Sequence, residues 1–195
     1  MNETGNKENS EPMISDNRLM EDVREGSVEK LAILFEKYHI QLYNFFIRLT
    51  GSRSVSEDLV QEVFLRILKY RKTFRGESKF TVWMYQIARN AHIDFLRKGK
   101  GEWPLEDQWE EAAEPESSAS VRLERSQDID LVRRALALLP WKKREVLVLS
   151  RFQDLKYREI ADLLGCQIGT VKAHVHRAVK ELGRIYCELS GGEAS

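Results

Sequence analysis

Apolar residues between positions 28 and 98 recur at steps of three and four, the period of an α-helix with one buried face. Three stretches carry this pattern, at residues 31–49, 59–68 and 80–95. Ser56 is the predicted N-cap of the second helix, because a serine hydroxyl can accept hydrogen bonds from free backbone N–H groups. A polar loop at residues 73–79 precedes the third helix. The pattern therefore predicts an N-terminal bundle of three or four helices.

The C-terminal part is also helical in pattern, with Pro140 between a helix ending near residue 139 and another at 141–151. A short helix, Gly165 and a longer helix from about residue 168 follow. This order predicts a helix-turn-helix at about residues 157–176, in which the small side chain of Ala161 lets the two helices cross closely. The apolar residues predicted to face inward from the longer helix are Val171, Val175, Ala178, Val179 and Leu182. The predicted fold class is all-α.

Charge is balanced overall, with 31 basic and 31 acidic residues, but it is segregated along the chain. The net charge is −4 over residues 1–22, +7 over 23–101, −8 over 102–130 and +5 over 131–195. An acidic connector containing proline and a serine cluster thus separates two basic segments, and its later part is expected to start a helix near Ser120. We predict a disordered tail at 1–22, the bundle at 23–98, an acidic linker at 99–127 and the helix-turn-helix domain at 128–190.

Composition and motifs narrow the function classes. The first 25 residues lack a signal-peptide pattern, and no apolar run reaches the roughly 18 residues of a membrane span, so a cytoplasmic protein without membrane insertion is expected. His174 and His176 point about 200° apart on a helix and cannot share one ion with Cys166, so no metal site is predicted. The sequence holds no GxSxG, HExxH or Walker pattern. Neither a cofactor nor an enzymatic activity is expected.

The outer face of the second helix of the helix-turn-helix is small-sided and basic, which suits the major groove of DNA because Arg and Lys reach phosphates and guanine edges. The alternative to DNA binding is that this is a solvated basic face on an ordinary helical hairpin. His176 is a candidate for contact with either bases or phosphates. The residues predicted to contact duplex DNA are Thr170, Lys172, Ala173, His176, Arg177 and Lys180.

The bundle contains a second cationic region. From Phe64 to Gly101 there are ten basic residues against two acidic ones, and aromatic residues are interleaved with them. Basic side chains attract phosphates while aromatic rings stack on exposed bases, so this composition is typical of a surface for single-stranded DNA. Phe80 and Trp83 also lie on the apolar stripe, where a core position explains them equally well.

Three runs together resemble a known family: DLVQEVF at 58–64, WMYQIARNAHIDFLRK at 83–98, and LPWKKREVLVLSRFQDLKYREIADLLGCQIGTVKAHVHRA at 139–178. Their order and spacing are similar to those of bacterial RNA polymerase sigma factors of the extracytoplasmic-function class. The resemblance covers roughly residues 28–186.

The resemblance implies partners and site residues. It implies binding to the β′ coiled coil and β flap of core polymerase, with Asp58, Gln61, Glu62 and Phe64 in contact with core. It implies that the loop at 73–79 and the following helix melt the minus-ten promoter element and hold a flipped base, with Lys79, Trp83, Gln86, Arg89, Asn90 and Arg97 as the candidates. The helix-turn-helix would read the minus-thirty-five element.

The family linker threads the RNA channel of the polymerase, and an acidic linker here would mimic nucleic acid in that channel. An anti-sigma factor is a further partner that the resemblance implies. Two alternatives belong to other classes: a stand-alone helix-turn-helix repressor or activator, and an enzyme acting on single strands, although no catalytic constellation supports the latter.

Overall fold

The structure, a computed structural model, describes residues 15–99, 119–153 and 155–191. The described residues form eight α-helices and no strand, which confirms the all-α prediction. They are α1 (Asp16–Glu25), α2 (Leu31–Thr50), α3 (Arg53–Tyr70), α4 (Phe80–Arg97), α5 (Ala119–Leu138), α6 (Trp141–Phe152), α7 (Tyr157–Leu164) and α8 (Ile168–Gly191). Short 3₁₀ turns lie at Val28–Lys30 and Arg71–Thr73. The helix expected near Ser120 is thus present as α5.

The bundle is built from α1 to α4 around the stripe that the sequence predicted. Leu34, Leu42, Phe45 and Phe46 of α2 are fully buried. The faces of α3 and α4 that pack on them are equally apolar, with buried Val63 and Ile67 on α3 and Phe80, Met84 and Ala88 on α4. The helical period is therefore explained by one continuous core, since burial of these side chains removes apolar surface from water.

Two details of the bundle differ from the sequence-based predictions. Residues 16–22, expected to belong to a disordered tail, form most of α1, which is anchored by buried Leu19, Met20 and Val23. The N-cap of α3 is Ser52 rather than Ser56. Ser56 is instead buried in the first turn, where its hydroxyl donates to the carbonyl oxygen of Ser52 at 2.6 Å. The predicted tail residues 1–14 and linker residues 100–118 lie outside the described residues.

The C-terminal helices form the predicted helix-turn-helix. Gly165 adopts φ 64°, a left-handed conformation that glycine takes without steric cost, and this ends α7. The N–H of Cys166 donates to the carbonyl of Ala161 at 3.0 Å, which satisfies one of the carbonyl groups left without a partner at the end of α7. Val171 and Val175 of α8 are buried as predicted. Val179 was expected to face inward but is 43% exposed, which corrects that prediction.

The two helical parts are packed together rather than held apart. Arg144 of α6 is only 2% exposed, and its guanidinium donates to the carbonyl of Leu49 in α2 at 2.7 Å and to that of Leu139 at 2.9 Å. Burial lowers the pKa of Arg144 to about 10. The hydroxyl of Tyr85 in α4 donates to the side chain of Gln153, which follows α6. These contacts hold α6 and the residue that follows it against α2 and α4.

Candidate nucleic-acid interface

Five of the six side chains predicted to hold single-stranded DNA fall along one stripe of α4. Their spacings of four, three, four and seven residues each lie near a whole number of helical turns. The stripe begins at the exposed N-cap residue and ends in the last turn of α4. Its members are Lys79, Trp83, Gln86, Asn90 and Arg97.

Arg89 lies about 80° away from that stripe on the helical wheel and faces the C-terminal helices. Its Nε is 3.2 Å from Oε1 of Glu145 on α6, in a geometry that makes an ion pair rather than an aligned hydrogen bond. Glu145 is 3% exposed, and burial raises the pKa of its carboxyl although the charge of Arg89 partly offsets this. Arg89 is therefore engaged by the other half of the protein.

Lys79 is also paired across the two halves. Its Nζ lies 2.9 Å from Oε1 of Glu159 on α7, the first helix of the helix-turn-helix. Burial raises the pKa of Glu159, but the ammonium of Lys79 and the backbone N–H of Lys156 outweigh it, so the net shift is downward. Thus two of the six candidates are paired with carboxylates of the C-terminal part, Arg89 largely buried and Lys79 still 62% exposed.

Trp83 packs on the bundle core, and its role in base stacking stays a prediction. Its ring meets Phe74 edge-on at a centroid distance of 5.3 Å and Phe80 at 6.4 Å, so part of it packs on the bundle core. The side chain is nevertheless only half-buried, whereas Phe74 and Phe80 are 2% and 0% exposed. Part of the Trp83 side chain is thus at the surface, where an exposed base could meet it.

A groove of about 480 Å³ between α3 and α4 brings Arg89, Asn90 and Arg97 together. Arg66 of α3 lines the same groove and was not among the predicted site residues. Its Nε donates to Glu62 at 2.6 Å and its Nη1 to Asp94 at 2.8 Å. Its membership of the cationic run between residues 64 and 101 was the signal in the sequence.

The residues predicted to contact polymerase separate into two groups. Asp58 and Gln61 are exposed on α3, and Glu62 is half-exposed beside Arg66. Phe64 is only 8% exposed and packs edge-on against Phe35 at 4.9 Å, so little of its side chain reaches this surface, and its contact with core polymerase stays a prediction. Leu65, which sequence reasoning missed, is 63% exposed. Its spacing of seven from Asp58 and four from Gln61 would have placed it on the same face.

The helix-turn-helix presents the basic face that the sequence predicted. Five side chains are exposed on one side of α8, while Val171, Val175 and Ala178 are buried on the other. Thr170, in the first turn, is half-buried. The steps of one, three, one and three residues between these exposed positions place them on a single side of the helix. An α-helix fits into the major groove of DNA, so such a side can lie against the base edges. The five exposed residues are Lys172, Ala173, His176, Arg177 and Lys180.

Metal-ligating side chains do not gather in groups of three or more within the described ranges. Cys166 is half-buried and Cys187 exposed, and both are free thiols. None of the helices that the structure describes is long and apolar enough to cross a membrane.

Comparison with known proteins agrees with this geometry. Residues 34–102 match the family described as Sigma-70 region 2, and residues 129–182 match Sigma-70, region 4. The chain is 30% identical to the ECF RNA polymerase sigma factor SigW of Bacillus subtilis, over 84% of this chain and 92% of that protein. It is 31% identical to SigX of the same organism, over 83% and 85%.

Two solved structures share the fold. CnrH in complex with the cytosolic domain of CnrY superposes with a TM-score of 0.67 at 20% identity, covering 87% of this chain and 96% of that one. The sigma factor RpoE of Bartonella quintana, in complex with the anti-sigma factor NepR, gives 0.65 at 24% identity, covering 79% and 94%.

Proposed function

Because the chain belongs to the extracytoplasmic-function sigma factors, which give RNA polymerase its promoter specificity, we propose that its two helical domains engage the two elements of a promoter. The bundle, at about residues 23–98, would bind core polymerase and open the minus-ten element. The helix-turn-helix domain, at about 128–190, would read the minus-thirty-five duplex. The observation that carries the proposal is that one chain presents two cationic helix faces, on α4 and α8.

Core polymerase would dock on the exposed face of α3. Asp58 and Gln61 offer polar contacts there, and Leu65 adds an exposed apolar side chain of the kind that interface cores bury. The helix is rigidly held because its opposite face, with Val63 and Ile67, is fully buried. The proposed partners of this surface are the β′ coiled coil and, for the C-terminal domain, the β flap.

Strand capture would use the stripe on α4. Lys79 and Arg97, at opposite ends of the helix, supply charges for phosphates, and Trp83 supplies a ring for stacking. Gln86 and Asn90 lie between them, and their amide groups can both donate and accept hydrogen bonds on base edges. A flipped base costs a few kcal/mol of unstacking, which these contacts would offset.

Duplex recognition would use the basic face of α8. Lys172, Arg177 and Lys180 are exposed and flank the small Ala173, which lets the backbone approach the groove floor. His176 is exposed on the same face and offers either ring nitrogen to a base or a phosphate. Because few phosphates are contacted by either domain alone, the free protein should bind duplex DNA weakly.

Promoter binding requires the two domains to separate from the packed arrangement. The pairs Lys79–Glu159 and Arg89–Glu145 occupy two of the basic side chains that the minus-ten strand needs. Phosphates would replace these carboxylates as the partners of both cations. We further propose an anti-sigma factor as a partner, as in the RpoE complex of Bartonella quintana, and a cytoplasmic location, where RNA polymerase works.

In-vitro transcription with purified core polymerase tests the proposal. Core enzyme with this chain should initiate at discrete promoters in a fragmented genomic template, and core enzyme alone should not. A stand-alone repressor or activator would instead bind duplex DNA tightly without polymerase, usually as a dimer on two half-sites. Tight operator binding together with no promoter-dependent transcript would replace the sigma-factor proposal by that alternative.

A further inference from the structure

The loop at residues 74–79, which precedes α4, is pinned at both ends and exposed between them. Phe74 and Phe80 are 2% and 0% exposed, and their rings lie 6.4 Å apart in the bundle core. Arg75, Glu77 and Ser78 between them are exposed. A loop held this way keeps its ends fixed while its middle residues remain accessible to a ligand.

The first helix supplies the polar contacts that fix the loop backbone. Asn17 of α1 donates from Nδ2 to the carbonyl of Ser78 at 2.9 Å, and its Oδ1 accepts from the N–H of Phe80 at 2.7 Å. That N–H is in the first turn of α4 and has no partner within its own helix. One side-chain amide therefore bridges the end of the loop and the start of the helix that carries the DNA stripe.

Two more residues of α1 contact the same loop. Arg24 donates from Nη1 to the carbonyl of Phe74 at 3.1 Å, at the opposite end of the loop from Asn17. Gly76 has φ 74°, and a Cβ atom there would lie 2.9 Å from Oε1 of Glu21. Because Asn17, Glu21 and Arg24 are spaced by four and three residues, they form one polar stripe of α1 that faces the loop.

The position of α1 itself is firmly determined. Leu19, Met20 and Val23 are buried against the bundle, and the carboxylate of Asp16 accepts hydrogen bonds from Tyr38 at 2.5 Å and Lys37 at 2.6 Å. A rigid helix that contacts both ends of an exposed loop holds that loop in one conformation. Such preorganisation raises affinity because the ordering cost is met before the ligand arrives.

We propose that α1 is the template that fixes the strand-capturing loop, with Asn17 and Arg24 as positioning residues for single-stranded promoter DNA. The inference rests on the proposed function, because it assigns single-stranded DNA as the ligand of the loop and of α4. Neither residue needs to touch DNA. Their role is to keep the backbone at 74–80 in the conformation that presents Lys79 and Trp83.

Asn17→Asp separates positioning from simple stabilisation. An aspartate at this site still accepts from the N–H of Phe80 and remains a good cap for α4, but it cannot donate to the carbonyl of Ser78. We therefore expect the core-polymerase affinity of this variant to match the wild type and its melting temperature to fall by no more than about 2–4 °C, the effect of losing one hydrogen bond. Its affinity for single-stranded DNA should fall about five- to tenfold, the effect of losing one hydrogen bond that orders the loop.

The measurement uses holoenzyme assembled from core polymerase and full-length chain. The probe is a fluorescent strand that wild-type holoenzyme enriches from a randomised pool of short single-stranded oligonucleotides, and binding is followed by anisotropy. Asn17→Ala serves as the uncharged counterpart and should weaken strand binding at least as much, which excludes repulsion by the new carboxylate as the cause. Asn44→Asp on α2 is the matched control and should bind the strand like the wild type.

The outcomes distinguish this inference from the function on which it rests. Wild-type strand affinity in Asn17→Asp holoenzyme would overturn the template role and leave the proposed function intact. A variant whose core affinity and melting temperature fall markedly along with its strand affinity would also overturn the template role, because a general loss would indicate a merely structural residue. Failure of the wild-type holoenzyme to enrich any strand would remove the proposed function itself.

Discussion

Lowering the pH from about 7.5 to about 5 should destabilise this fold through one buried imidazole, that of His92. The side chain is 1% exposed and lies where the two domains meet, with the ring of Trp141 from α6 at 6.3 Å. Burial is the main cause of a lowered pKa at His92, and together with the charges of Arg144 on α6 and Arg89 on its own helix it brings that pKa to about 4. Its Nδ1 has no hydrogen-bond partner among the described residues.

The direction of this pH effect depends on whether the folded or the unfolded state binds the proton more readily. In the unfolded chain His92 has an ordinary pKa near 6.5 and is protonated below that pH. In the folded protein it stays neutral until the pH falls to about 4. Stability is therefore lost as the pH falls through this window. From the folded and unfolded pKa values of His92, proton linkage gives a decrease in the free energy of unfolding of about 2 kcal/mol at pH 5. The decrease approaches a limit of about 3 kcal/mol below pH 4.

Urea unfolding of wild type and His92→Leu at both pH values isolates this effect. Leucine fills a similar volume, cannot ionise and leaves no polar atom unpartnered, so the variant should lose about 2 kcal/mol less than the wild type on acidification. Burial raises the pKa of neighbouring Glu145, which acts in the opposite direction, but this contribution is common to both proteins and cancels in the difference. Parallel pH profiles for the two proteins would refute the reasoning.

Three further predictions concern the proposed interfaces. Gln61→Ala, on an exposed face of α3, should lower core-polymerase affinity without changing the free energy of unfolding; a loss of stability instead would contradict the surface assignment. Arg177→Ala should spare core affinity, weaken upstream duplex binding and reduce the slope of its salt dependence by about 1. Glu159→Gln should free Lys79 and raise the affinity of the chain without polymerase for single-stranded DNA several-fold, whereas the exposed Asp162→Asn on the same helix should not. Equal behaviour of these two variants would show that only overall charge matters.

Local pattern determined much of this protein. The period of the apolar residues predicted α2, α3 and α4, because a helix with one solvent-exposed face repeats its buried residues every three or four positions. The glycine between a short and a long helix specified the helix-turn-helix, because Gly165 takes the left-handed conformation at φ 64° without steric cost. The basic positions of α8 were likewise predictable, since the buried residues Val171 and Val175 leave only one face for solvent.

Tertiary structure decided what depends on contacts between distant segments. The polar, charged sequence of residues 16–22 predicted disorder, yet it folds as α1 because Leu19, Met20 and Val23 find partners on the bundle. The bridge from Asn17 to the loop spans more than 60 residues of chain, beyond the reach of any local pattern. The pairing of Lys79 and Arg89 with carboxylates of the C-terminal domain also joins residues far apart in the sequence, so no local pattern could predict it. Periodicity records which face of a helix is buried, but the partner that buries it is chosen only when the whole chain packs.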